Sequence, residues 1–189
     1  LGDAVLRRSG LLVVAGKRAA ALAADRWFGG RDATTQIGVN AALGGAGGRI
    51  TADLATLRRD WQRVAIVGNA TSSMVLDALG AGLDLDTALA RCRDAGMLEA
   101  DPSSDLDGSD GAVKLSLVLG VLTGQVVDPG TVHTLDLRDI NPEVPRDIVR
   151  RGLVPRVVAR GERGARDGPP HGRTRTLPGR RDASARPEL

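Results

Sequence analysis

Residues 98–117, LEADPSSDLDGSDGAVKLSL, combine several carboxylates with one lysine in a short stretch of the chain. The charged side chains are Glu99, Asp101, Asp105, Asp107, Asp110 and, four residues further on, Lys114. Carboxylates accept hydrogen bonds from an ammonium group, and a lysine can donate to an oxygen or take part in proton transfer. The combination therefore suits a small charged substrate such as an amino acid.

The same acids could instead bind calcium or stabilise a helix start. An EF-hand register puts Asp105, Asp107 and Gly108 at suitable loop positions, but it puts Lys114 where a bidentate glutamate is required, so we reject a calcium loop. At a helix start, Asp110 and Lys114 would form an ordinary surface ion pair. The apolar segment after Lys114 disfavours a simple surface pair, because a lysine on a packed helix is costly without acidic partners or a substrate.

The hydrophobic patterning predicts a mixed α/β domain around this stretch. Short apolar runs predict strands at 11–16, 63–70, 131–137 and 154–160, and residues 33–43 are β-leaning. Helical spacing predicts helices at 17–28, 52–61, 71–82, 85–96, 112–124 and 141–153. Thr51 and Asp84 are predicted N-caps, and glycine-rich residues 44–48 are predicted to form a flexible turn.

Composition limits the class of protein. Aromatic residues make up only 2% of the chain and apolar residues 42%, so the core must be built from Ala, Val, Leu and Ile. No apolar run reaches the ~18 residues that a membrane span needs, so we expect no membrane partner. The single cysteine, Cys92, excludes an internal disulfide and favours a reducing cytoplasm, and its place on an apolar helix face indicates packing.

The net charge of +3 belongs to the C-terminal end of the chain. Residues 161–189 hold seven arginines and four acids, whereas residues 1–160 carry equal numbers of basic and acidic side chains. This Arg/Gly/Pro-rich segment has no apolar periodicity, so we expect it to be a disordered basic tail. Binding of nucleic acid through the tail is a minor alternative.

Residues 99–114, EADPSSDLDGSDGAVK, resemble the substrate-site signature of homoserine dehydrogenases. That signature runs roughly Glu-x-Asp-Pro-x-x-Asp-(Ile/Leu)-(Asp/Asn)-Gly-x-Asp-x-x-x-Lys, and every fixed position is met. The resemblance implies that Lys114 acts in proton transfer at the substrate oxygen. It also implies that Glu99 and Asp110 hold the substrate amino group and that Asp105 is another acid of the site.

Three further segments resemble the same family. Residues 69–76, NATSSMVL, put Thr71 on a family threonine beside the substrate. Residues 13–23 put Lys17 on a second active-site lysine. Residues 39–48, VNAALGGAGG, resemble a segment whose backbone carbonyls bind a monovalent cation, which implies such a role for Asn40 and Leu43.

The resemblance also implies a fold and an activity. The family reduces L-aspartate 4-semialdehyde to L-homoserine with NAD(P)H in threonine and methionine biosynthesis. Its α/β catalytic domain (an α+β unit, with a mixed sheet and helices) follows a Rossmann domain. We therefore expect a cytoplasmic, homodimeric oxidoreductase with an amino-acid substrate. Residues 1–32 would be the end of a nucleotide-binding domain, 33–160 the catalytic domain and 161–189 the tail.

The chain contains no Gly-x-Gly-x-x-Gly fingerprint, which a Rossmann domain needs for its dinucleotide. We therefore expect a fragment in which the Rossmann domain is largely missing, and the cofactor-binding residues are unknown. The alternative to an active enzyme is an inactive fragment that retains amino-acid binding or dimerisation.

Overall fold

The computed structural model describes residues 2–8, 10–30, 36–44, 46–67, 69–98, 101–163 and 171–179. The chain divides into two compact units. The first comprises residues 1–66, 112–133 and 160–173, and the second comprises residues 67–111, 134–159 and 174–189.

The described residues of the first unit begin with short helices and short strands. These elements are α1 (Gly2–Arg7), β1 (Leu12–Val13), α2 (Lys17–Leu22), α3 (Ala24–Phe28), β2 (Ile37–Gly38), α4 (Asn40–Leu43), α5 (Ala46–Ala52), α6 (Leu54–Asp60) and β3 (Arg63–Ile66). Strands β1 and β2 pair in parallel, with Leu12 opposite Ile37.

The described residues after β3 form further α-helices, 3-10 turns and strands. In chain order these are α7 (Ala70–Gly80), α8 (Leu85–Asp94), α9 (Ser103–Leu106), α10 (Ser109–Thr123), the 3-10 turns Pro129–Thr131 and Leu137–Asp139, α11 (Glu143–Arg150), β4 (Val154–Glu162) and β5 (His171–Gly179). The strand order of the second sheet is β3-β4-β5.

The later turns of helix α10 are apolar on all sides and are buried. Leu115, Leu117, Leu119 and Val121 are fully buried, as expected for a helix in the interior of a domain. A Cβ on Gly120 would lie 2.6 Å from Ala24 Cβ, so the glycine allows α3 to approach closely. The predicted buried helix at 112–124 is confirmed, and it starts three residues earlier than predicted.

The second unit has its own apolar cluster, which holds α7 in place. The cluster joins buried residues of α7, α8, α9 and the turn 137–139: Val75, Leu76, Ala78, Leu79, Ala88, Cys92, Leu106 and Leu137. The predicted N-cap Asp84 is confirmed, since its Oδ1 accepts from Thr87 N at 2.7 Å. The thiol of Cys92 is buried as predicted, and this desolvation raises its pKa.

The structure differs from the predictions at the glycine-rich segment. Thr51 does not cap a helix, because α5 continues through it and its Oγ1 donates to Gly47 O at 3.1 Å and Gly48 O at 3.0 Å. The next helix begins after Asp53. Of the β-leaning segment 33–43, only Ile37–Gly38 is a strand and residues 40–43 are helical, while residues 33–35 lie outside the described part.

Two further predictions are wrong. Residues 131–137 do not form a strand, because Asp128 and Asp136 cap 3-10 turns on either side of it. The disorder predicted from Gly161 onward does not hold for residues 161–162, which extend β4, or for residues 171–179, which form β5. The amino-acid composition of a segment does not show whether its backbone pairs with a strand that is distant in the sequence. Among the described helices, none is both long and apolar enough to cross a membrane.

Candidate functional site

Asn69 lies at the centre of the polar contacts in the second unit. It is the N-cap of α7, and its Oδ1 accepts from Ser72 N at 2.8 Å. Its Nδ2 donates to Asp105 Oδ1 at 2.7 Å and, more weakly, to Asp110 Oδ2 at 3.4 Å. One amide therefore brings together two carboxylates that the sequence predicts to belong to a substrate site.

Asp105 and Asp110 reach this position from two consecutive helices. Asp105 is on α9, which is anchored by the buried side chain of Leu106, and Asp110 is in the first turn of α10. The turn between the helices needs Gly108, whose φ is +80° and whose added Cβ would lie 3.1 Å from Leu135 O. Asp107 Oδ1 accepts from Ser109 N at 2.8 Å at the start of α10.

Lys114 lies one helical turn beyond Asp110 on α10, so the two side chains share one face of that helix. It is half-buried, whereas its neighbours Val113 and Leu115 are buried. The lysine therefore stands next to the buried apolar part of α10 in the sequence of the helix.

Thr71 is buried in the first turn of α7. Its Oγ1 donates to Met97 O at 3.3 Å, which ties α7 to the segment leading into the acidic signature. Glu99, the acid that opens the signature, lies outside the described residues, so its role stays a prediction.

The remaining charges of the signature lie near an arginine. Hydrogen bonds from Ser103, together with the nearby Arg138 guanidinium, lower the pKa of Asp101 below its ordinary value. Arg138 makes its strongest contacts with Asp136, and these raise the pKa of the guanidinium, with a smaller contribution from Asp107. Asp101 therefore stays ionised to a lower pH than an ordinary aspartate does.

The other predicted residues lie in the first unit. Lys17 is the first residue of α2 and is half-buried. Asn40 and Leu43 are the first and last residues of α4, and a Cβ on Gly48 would lie 2.9 Å from Asn40 Nδ2. The described residues contain no cluster of three or more His, Cys, Asp or Glu side chains that could hold a metal ion. A cation bound by backbone carbonyls stays a prediction.

Sequence patterns alone do not single out Asn69 as a site residue. The available signal is its place at the head of NATSSMVL, directly before a predicted helix, where an N-cap is expected. Its second role depends on carboxylates 36 and 41 residues away. A local sequence pattern does not predict contacts between residues so far apart in the chain.

The fold is that of solved dehydrogenases. A homoserine dehydrogenase from Thiobacillus denitrificans superposes with a TM-score of 0.72 at 23% identity, over 89% of this chain and 39% of that chain. A hyperthermophilic archaeal homoserine dehydrogenase in complex with NADPH gives a TM-score of 0.64 at 21% identity, over 94% and 50%. These likenesses confirm the predicted fold class.

Comparison of the sequence with known proteins identifies the family to which the chain belongs. The family model described as homoserine dehydrogenase matches residues 50–182, which include the signature and β5. Homoserine dehydrogenase of Mycobacterium leprae is 35% identical over 81 residues (42% of this chain, 18% of that protein), and that of Pyrococcus horikoshii is 32% identical over 79 residues (42% and 24%). The chain belongs to the homoserine dehydrogenase family. The matched stretches span less than a quarter of these two relatives.

Proposed function

We propose that this chain carries the substrate-binding part of a homoserine dehydrogenase, which interconverts L-homoserine and L-aspartate 4-semialdehyde. The observation that carries the proposal is the joint hydrogen bonding of Asp105 and Asp110 by Asn69, one helical turn before Lys114. Membership of the family over residues 50–182 supports it.

The chemistry of L-homoserine matches these residues. Its ammonium group has three N–H donors, and Asp110 and Glu99 are the acceptors we assign to it, with Asp105 as a neighbouring acid. Oxidation of its hydroxyl to an aldehyde removes a proton from oxygen as well as a hydride from carbon. We assign the proton to the amine of Lys114, with Lys17 as a second lysine of the site.

The cofactor that the family implies is NAD(P), and the archaeal relative named above is a complex with NADPH. The residues of this chain do not fit a dinucleotide site, since none of its glycines forms the Gly-x-Gly-x-x-Gly fingerprint. We therefore assign no cofactor-binding residue and derive no step through the cofactor.

The remaining assignments are part of the same proposal. Residues 1–32 correspond to the end of a nucleotide-binding domain and 33–160 to the catalytic domain. Backbone carbonyls of Asn40 and Leu43 hold a monovalent cation, and the protein is a homodimer. The protein acts in threonine and methionine biosynthesis in the cytoplasm. The single cysteine, which is buried and reduced, supports the cytoplasm as the compartment.

Calorimetry on the full chain tests the substrate and the role of Lys114. L-homoserine should bind, and L-2-aminobutyrate, which lacks the hydroxyl, should bind about tenfold more weakly, because it cannot use the lysine. Lys114→Ala should remove this preference and leave the binding of L-2-aminobutyrate unchanged. Arg91→Ala, at an exposed cation on α8, is the matched control and should bind like the unchanged protein.

Catalysis is tested by fusing the chain to an intact Rossmann domain and following reduction of NADP⁺ or NAD⁺ by L-homoserine. Turnover that Lys114→Ala abolishes supports the enzyme. Binding without turnover in the fusion supports the alternative, an inactive fragment that retains amino-acid binding. Absence of both binding and turnover contradicts the proposed function.

A further inference from the structure

We propose that Asn69 is a positioning residue that holds the carboxylates of Asp105 and Asp110 in one fixed arrangement. Its significance for the substrate rests on the function proposed above. The contacts themselves are a feature of the second unit alone, and they join α7, α9 and the first turn of α10.

The orientation of the Asn69 amide follows from its partners. Ser72 N–H can only donate, so the atom that faces it at 2.8 Å must be the oxygen, Oδ1. The nitrogen then faces the two carboxylates, which can only accept when ionised. The NH₂ group has two N–H bonds, one for each acid. The reverse orientation would lose all three hydrogen bonds.

Asn69 is itself held rigidly. Its backbone carbonyl accepts from Ser72 Oγ at 3.1 Å and from Ser73 Oγ at 2.8 Å. Ser72 is buried, and α7 is fixed by the apolar cluster of the second unit. A hydrogen bond from such a residue fixes the two carboxylates relative to α7. Side chains fixed in this way are what a preorganised site requires.

The choice of asparagine has an electrostatic reason. Two carboxylates near each other repel, and a neutral amide that donates to both offsets part of this repulsion without introducing a positive charge. A lysine or arginine in the same place would compete with a substrate ammonium for the acids. Aspartate would preserve the N-cap and add a third negative charge.

The two roles of Asn69 can be separated by Asn69→Ser. Serine is as good an N-cap as asparagine, so the helix start is kept while the donors to the acids are lost. The matched control is Asp84→Ser, the same replacement at the N-cap of α8. Both variants should unfold within a few degrees of each other. Only Asn69→Ser should bind L-homoserine roughly tenfold more weakly, as expected for loss of a hydrogen bond to a charged group.

A double-mutant cycle tests the contacts independently of any ligand. Urea unfolding of Asn69→Ser, Asp105→Ala and the double variant should be non-additive, because the two residues share a hydrogen bond. The cycle with Asp110→Ala should be less non-additive, because that contact is 3.4 Å rather than 2.7 Å long. The pair Asp84→Ser and Asp105→Ala should be additive.

The outcomes separate this inference from the proposed function. Additive behaviour of Asn69 and Asp105, or unchanged affinity in Asn69→Ser, overturns the positioning role. If the unchanged protein does not bind L-homoserine, the proposed substrate is wrong. A non-additive cycle in that case still supports Asn69 as the residue that organises the two acids.

Discussion

Asp136 and Arg138 form a closely hydrogen-bonded ion pair beside the acidic signature. Arg138 Nε lies 2.9 Å from Asp136 Oδ1, its Nη2 lies 2.5 Å from Oδ2, and its backbone N donates to Oδ1 at 2.8 Å. These bonds lower the pKa of Asp136 below its ordinary value of 3.8. The ionised carboxylate caps the turn Leu137–Asp139, whose Leu137 is a core residue.

This pKa shift predicts a dependence of stability on pH. Because the folded-state pKa of Asp136 is below the unfolded-state value, its contribution is complete above about pH 4 and is lost as the pH falls through the folded-state pKa. Asp136→Asn should therefore lower the free energy of unfolding at pH 7, and the difference from the unchanged protein should shrink below pH 4. Urea unfolding across this range measures the difference.

The control for this prediction is Arg138→Gln. With the guanidinium gone, Asp136→Asn should have a smaller effect at pH 7 than it has in the unchanged protein. A difference that stays constant from pH 7 to acid would contradict the assigned cause.

Residue roles that depend on neighbours in sequence are predictable, and those that depend on distant neighbours are not. Asp84 is predictable as a cap because its acceptor faces a backbone N–H three residues away. The packing role of Cys92 follows from the spacing of apolar residues around it. The contacts of Asn69 could not be predicted, because they require α9 and α10 to be folded against α7.

At the scale of elements, the end of α10 depends on an arginine from another helix. Val121 is in the last turn of α10, where backbone carbonyls lack partners within the helix. Arg58 of α6 donates to Val121 O from Nε at 3.1 Å and from Nη2 at 3.0 Å, and Nη2 also donates to Phe28 O in α3. Partial burial lowers the pKa of this guanidinium. One side chain thus joins three helices of the first unit.

Arg58→Ala should destabilise the protein by about 2 kcal/mol, because it leaves two carbonyls without their charged donor. Arg58→Lys should recover only part of the loss, since a single ammonium cannot reproduce the planar fork of donors. Thermal and urea unfolding measure both variants. Arg59→Ala is the control, because Arg59 is exposed and its ion pair with Asp60 should contribute nothing measurable. Equal effects of the two alanine variants would contradict the role of Arg58.

The wrong predictions of helix and strand boundaries have a common physical origin. Thr51 has the chemistry of an N-cap, yet α5 starts earlier, where Gly47 and Gly48 lie close to Asn40. Residues 131–137 have the apolar spacing of a strand, but the carboxylates of Asp128 and Asp136 stabilise turns instead. In both cases a contact with another part of the chain, or a side chain bonded to the backbone, outweighs propensity.

At the scale of the whole chain, the C-terminal segment departs most from expectation. Its arginines, glycines and prolines resemble those of a disordered tail, yet residues 171–179 form β5 next to β4, and the family match continues to residue 182. Strand β5 stands at the edge of the order β3-β4-β5. An edge strand can contain a proline such as Pro178, because alternate backbone positions of such a strand face away from the sheet and need no N–H donor.

Hydrogen–deuterium exchange distinguishes a paired strand from a disordered tail. Because β5 is the edge strand among the described strands of this sheet, about half of its amides should be bonded to β4 and exchange slowly, and the other half should exchange fast. Removing residues 164–189 should in turn speed the exchange of those β4 amides that β5 protects, while α7 in the second unit keeps its protection as an internal control. Uniformly fast exchange across 171–179, with β4 unaffected by the truncation, would contradict the pairing and restore the disordered tail that composition alone predicts.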